Sequence, residues 1–286
     1  MAIRFAALVL FALAVMSASL LVGGTPLSSH EVFSALFHPH RTGDLAIIVW
    51  QLRVPRICIA AVVGAALAIT GAMMQGMLRN PLVDPYLTGV SAGAAAAIAV
   101  ATLFGIAASL LPGLGFLAGV GTAILVAALA RRGSGIDANR LILAGISLSA
   151  LFSAIVAFAI ARAQSADYAQ AILSWLAGSM ASRTWRDLFF TAPYLAAGAA
   201  LAALAIPSLN ALRIGDVRAR SVGVDVDRAQ WVILASSSLL AAASVALAGI
   251  VGFVGLIVPH VARRIVGSDA RALLPACALC GAALAV

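Results

Sequence analysis

Arg53-Val54-Pro55-Arg56, an apolar run rich in Ala and Gly, Gln75-Gly76-Met77-Leu78-Arg79-Asn80-Pro81-Leu82-Val83-Asp84-Pro85, and Gly89-Val90-Ser91-Ala92-Gly93 follow one another in the stretch that decides the fold. Between Arg56 and Arg79 no residue is charged. About 25 residues at ~1.5 Å rise cross a hydrocarbon core ~30 Å thick with some tilt. The segment reads as a membrane crossing. Two arginines mark one end and a polar, proline-broken turn marks the other, so each membrane face carries a different chemical device.

The composition agrees. Of 286 residues, 63% are hydrophobic and 10% charged, where a soluble domain carries about 25% charged residues. Long apolar runs exclude a β-barrel and imply an all-α polytopic membrane protein. All 18 basic residues are Arg. Without Lys the chain has no ordinary Walker A loop, so ATP-driven transport would need a separate ATPase. The arginines that make up the +8 net charge lie in short loops, a positive-inside pattern and not a nucleic-acid face. Cys58, Cys277 and Cys280 lie in apolar runs and read as packing residues. Residues 2–22 could be a signal peptide, but the run exceeds the usual ~7–15-residue core and reads as a retained first helix.

Further spans are expected near residues 54–78, 86–111, 114–130, 140–160, 188–206 and 231–248. Gly23-Gly24-Thr25-Pro26 stops the first span, and Ser28 to Glu31 opens a capped amphipathic helix. Pro207 is expected to end the span at 188–206. A Gly-rich piece over 249–259 leads to His260, and a last span begins near Leu273. Trp175, Trp185 and Tyr168 read as interfacial aromatics. With the N-terminus inside, inner loops hold 12 arginines and outer loops 6, counted from the sequence, which favours that orientation. Ending inside an apolar run suggests that part of the last span and one more are missing.

Taken together these segments resemble the permease subunits of type II ABC importers for vitamin B12, haem and iron-siderophore chelates. The motifs quoted above carry the resemblance, with Gly252-Phe253-Val254-Gly255-Leu256-Ile257-Val258-Pro259-His260-Val261-Ala262-Arg263. It implies a single permease domain over 1–286 with the ten-helix fold, truncated within helix nine. It also implies a bacterial inner-membrane homodimer, two ATPase subunits holding ATP and Mg, and a periplasmic or lipid-anchored substrate-binding protein. No cofactor, metal or catalytic residue is implied on this chain.

The resemblance assigns roles. Arg53 and Arg56 would receive acidic residues of the binding protein, although snorkelling arginines look the same in sequence. Asn80 and Leu82, with Ala138 and Asn139, would form the inner gate, where a plain connecting turn is the alternative. Asp216, Ala219, Arg220, Ser221, Val222, Gly223 and Val224 would couple to the ATPase, as a pair of short helices broken at Gly215 and Gly223. Val217, Val222 and Val224 would form its apolar ridge. Ser147, Ser149 and Ser153 could line the pathway or bond their own helix. His38-Pro39-His40 is weak as a metal site. The Gly89/Gly93 and Gly64/Gly71 patches read as packing sites. An ion-gradient-driven secondary transporter is the other reading. It would need acidic groups within the spans, and all ten acidic residues sit in loops or at span ends.

Overall fold

In hydrocarbon every backbone N–H and C=O needs an internal partner, and this chain meets the demand with helices. The computed structural model describes residues 1–23, 27–38, 43–163, 165–181 and 183–286. The rest of the stop signal at 24–26, and Pro39, His40 and Arg41, lie outside the described residues. The helices are α1 (Ala2–Leu21), α2 (Ser29–Phe37), α3 (Val54–Leu78), α4 (Val90–Leu103), α5 (Leu111–Ala130), α6 (Ala138–Ala161), α7 (Ala166–Leu176), α8 (Trp185–Leu212), α9 (Asp216–Ser221), α10 (Val226–Ala248), α11 (Val254–Val266) and α12 (Ala270–Ala285). A two-strand ribbon, β1 (Arg131–Arg132) and β2 (Gly135–Ile136), joins α5 to α6. Among the described residues six helical stretches are long and apolar enough to cross a membrane, and α4 and α12 are shorter apolar helices.

The centre is α3, with α8, α10, α11 and α12 packed around it. Its contacts are made by backbone as much as by side chains. A Cβ on Gly71 would collide with the Gly255 carbonyl, one on Gly255 with the Pro85 ring, and Gly64 and Gly281 face each other in the same way. Small residues allow this approach between membrane helices. It also solves a specific problem in α11. Pro259 lies inside that helix and has no N–H for the Gly255 carbonyl four residues back. Gln75 Nε2 of α3 donates to Gly255 O at 3.3 Å, and also to Leu256 O at 3.3 Å.

A helix of six π-type residues, Ile48–Arg53, leads into α3, so helical structure runs without a break from Asp44 to Leu78. Pro55 explains the irregular entry, since its ring clashes with the carbonyl one α-turn earlier. Ser28 and Glu31 make the expected capping box on α2.

α1 buries only Leu8 and Ala12 and is pinned at its two ends. Arg4 Nη1 donates to Ile265 O at 2.7 Å, and Arg53 Nη1 donates to Leu20 O at 2.5 Å.

Three expectations change. α8 passes through Pro193 and Pro207 and ends at Leu212. A proline removes one bond of the ladder, and packing holds the helix through it: Leu209 and Leu212 beyond Pro207 are buried, and Gly198 lies against Leu240 of α10. The Gly-rich piece after residue 249 becomes helical from Val254, where Phe253 takes a left-handed conformation at φ 66°. The mixed segment after residue 162 contains α7, whose Ile172 is buried with Ala95, Ala99, Val156 and Ala159.

Gly71→Ala is expected to lower stability by about 1–3 kcal/mol through overpacking. Gly121→Ala, where a Cβ meets nothing within 4 Å, should leave stability unchanged or raise it. Denaturant titration of both variants in detergent checks the contrast.

Candidate functional site

Arg53 and Arg79 flank α3 at its two ends, about 39 Å apart by helical rise, and the candidate residues divide between those ends. At the Arg79 end α3 stops on a left-handed residue, Arg79 at φ 52° and ψ 33°. Asn80 Oδ1 accepts from the Leu82 N–H at 3.0 Å, and Asp84 Oδ1 accepts from the Tyr86 N–H at 2.8 Å. These side chains give the proline-broken turn its backbone partners. They leave Leu82 projecting, 78% exposed.

α9 begins three residues after Arg213, past Gly215 at φ 106°, and is tied at both ends. Asp216 pairs with Arg79 at 3.3 Å. Arg220 pairs with Asp227, the second residue of α10, at 3.0 Å. Asp227 also accepts the Ser134 hydroxyl at the tip of the β ribbon. The ribbon is fixed to α10 by Trp231 Nε1 donating to Ser134 O at 3.1 Å, and by the Ile136 N–H donating to Gln230 Oε1 at 2.9 Å. One residue further, Asp137 caps α6 through the Arg140 N–H at 3.0 Å. That hydrogen bond, with Arg132 beside it, holds the Asp137 carboxyl below its ordinary range. Ala138 and Asn139 follow, both exposed.

The three candidate groups at this end are therefore connected through α9: Asp216 leads to the Asn80-Leu82 turn, and Arg220 leads through Asp227 and Ser134 to Ala138 and Asn139. Among the described residues no hydrogen bond joins Asn80 or Leu82 directly to Ala138 or Asn139.

The expected pair of short helices is one helix, α9, because Asp225 accepts the Arg228 N–H and starts α10 directly after the Gly223 turn. The apolar ridge also differs. Val217 and Val222 are 81% and 66% exposed, whereas Val224 packs on the core and Ala219 is fully buried. Ile214, exposed just before α9, takes the third place. The ribbon and the Asp227 junction were missed in sequence. Gly133-Ser134-Gly135 is a hairpin signal read there only as the end of a span.

At the opposite end Arg53 and Arg56 separate. Arg53 is 8% exposed and holds the last turn of α1, while Arg56 is exposed. Both line a cavity of about 1000 Å³ with Ser179, Met180 and Gly252. Between the ends, Ser149 and Ser153 of α6 line a cavity of about 490 Å³ with Asp84, Tyr86 and Ser91. Ser147 does not line it.

A model of the FecCD transport family matches residues 9–286. The chain belongs to the FecCD transport family. That family is one of membrane permease subunits and not of enzymes. The chain is 38% identical over 241 residues to the cobalamin import system permease BtuC of Halobacterium salinarum, covering 84% of this chain and 65% of that protein. It is 37% identical over 236 residues to the molybdate import system permease MolB of Haemophilus influenzae, covering 82% and 70%. A solved inward-facing ABC transporter assigned to the metal-chelate type superposes with a TM-score of 0.88 at 33% identity, covering 98% of this chain and 87% of that one. The chain is a multi-pass membrane protein.

Asp216→Asn and Asp227→Asn should each cost little global stability, about 0.2–1 kcal/mol for exposed pairs, while loosening α9. Hydrogen exchange should show faster amides in α9 for both variants. The swap Arg79→Asp with Asp216→Arg should restore protection, because Asp tolerates the left-handed conformation at position 79.

Proposed function

We propose that the chain is the membrane-spanning permease of an ATP-driven importer for a metal chelate or cobalamin-type substrate. It would work as a homodimer with two separate ATPase subunits and a substrate-binding protein. The observation that carries this reading is the double attachment of α9. A short helix with exposed Val217 and Val222 among charges suits a partner groove, and its two ends hold the two segments assigned to the gate. A partner that shifts α9 would move Leu82 through Arg79 and Asp216, and Ala138 and Asn139 through Arg220, Asp227 and the ribbon. ATP and Mg belong to the partner, in keeping with a chain that has no Lys.

The Arg count supports a cytoplasmic position for α9 and for the N-terminus, and the importer reading goes with a bacterial inner membrane. Arg56 then faces the binding protein, with Arg53 behind it supporting α1. The relatives span cobalamin and molybdate, so the cargo is assigned by class. The chelate class is preferred because the solved neighbour at 0.88 TM-score is assigned to the metal-chelate type. An uncharged pathway supports leaving selectivity to the binding protein. The secondary-transporter reading is disfavoured, because the buried polar residues include no Asp or Glu among the described residues.

Proteoliposomes holding the permease, its ATPase and its binding protein should take up cobalamin or an iron chelate only with ATP inside the ATPase compartment. Uptake driven by an ion gradient without ATP overturns the reading. Arg56→Glu should weaken binding-protein association about 10-fold in surface plasmon resonance with normal melting. Arg53→Glu should also lower the melting temperature.

A further inference from the structure

Three guanidinium groups meet at the Arg79 end with too little negative charge between them. Arg79, Arg213 and Arg263 line a cavity of about 240 Å³ whose remaining walls include Gln75, Asn80 and Pro81. Each arginine comes from a different element: the residue that closes α3, the residue that closes α8 and the last turn of α11. Arg79 has Asp216, and Arg213 donates to the Ser268 carbonyl. Arg263 is half-buried, feels the charge of Arg213, and has no hydrogen bond or ion pair among the described residues. A partly desolvated guanidinium beside another is costly unless a counter-charge is supplied. Among the described residues Asp216 pairs with Arg79, and the Asp269 carboxyl feels the charge of Arg213, so three guanidinium charges face two carboxylates and stay net positive.

A second, independent observation concerns Gln75. Its side chain is 3% exposed, its Nε2 is committed to carbonyls, and its Oε1 has no partner. Gln75 lines the same cavity, so the walls offer three cationic forks and one buried acceptor. An anion with several oxygens and at least one hydroxyl matches that set. Guanidinium forks take phosphate oxygens in pairs, and the buried carbonyl oxygen takes the hydroxyl proton. The space is too narrow for a partner helix, which needs about 10 Å.

We infer that the cavity between α3, α8 and α11 is a binding site for a hydroxyl-bearing phosphate group, held by Arg79, Arg213 and Arg263 with Gln75 Oε1 as acceptor. Inorganic phosphate and the headgroup of phosphatidylglycerol share this chemistry, and basic clefts between membrane helices suit lipid headgroups. The site does not depend on the proposed import activity. Asp216 is an internal competitor for it, because its carboxylate already occupies Arg79.

The test follows melting of the detergent-purified chain against inorganic phosphate, with sodium chloride at matched ionic strength as control. A parallel arm uses nanodiscs of phosphatidylcholine with or without phosphatidylglycerol. Phosphate should raise the melting temperature saturably by about 3 °C, and Arg213→Gln and Arg263→Gln should abolish the rise. Asp216→Asn should lower the half-saturating concentration about 5-fold. If phosphatidylglycerol stabilises and phosphate then adds nothing, the occupant is lipid. If phosphate acts and phosphatidylglycerol does not, the occupant is soluble. Should Arg263→Gln fail to fold, Arg79→Gln, on the more open side of the cavity, carries the same comparison. No stabilisation of the unaltered chain by either probe, or equal stabilisation of the Arg→Gln variants, overturns the proposal.

Discussion

The Gly255 carbonyl is the constraint on which the rest of this structure depends. Pro259 deprives it of a helical partner inside a region where water cannot substitute, and Gln75 supplies the missing donor. That bond forms only if α3 and α11 touch backbone to backbone, which requires glycine at both 71 and 255. Pro85 fills the far side of Gly255, so the turn that follows α3 is placed by the same contact. The path of α3, the start of α11 and the position of the Leu82 turn are thus one packing solution.

From this fixed centre the Arg79 end acquires its chemistry. A left-handed last residue turns the chain out of α3 and leaves its guanidinium toward α9 and α8. The charges there are exposed or half-exposed, and single ion pairs of that kind contribute little to folding. Their value is positional. They add links between short polar segments that Ala219, Val224 and the Trp231 and Gln230 hydrogen bonds also fasten to the bundle, while the apolar core beneath keeps its own register.

Much of this was legible in the sequence. The limits of α3 were read at Val54 and Leu78 because charge, proline and an apolar run all change there together. The capping box at Ser28 and Glu31 was equally local. What escaped the reading was non-local. Pro207 looks like a terminator until Leu209, Leu212 and Gly198 are seen packed against neighbouring elements. Arg53 and Arg56 look equivalent in a four-residue motif, yet one is consumed by the carbonyl of Leu20, 33 positions earlier. The ribbon at Arg131 to Ile136 could be suspected from its glycines, but its attachment to Asp227 depends on α10 lying alongside. Side chains whose partners are close in sequence were readable, and those whose partners come from folding were not.

The first helix shows what such distant partners do mechanically. α1 is fastened like a strap by a rivet at each end, Arg4 on Ile265 and Arg53 on Leu20, with only two buried side chains along its length. Load applied to it would fall on those two guanidinium contacts together with the Ser19 hydroxyl on the Val286 carbonyl and the buried Leu8, and would not spread over a glued surface.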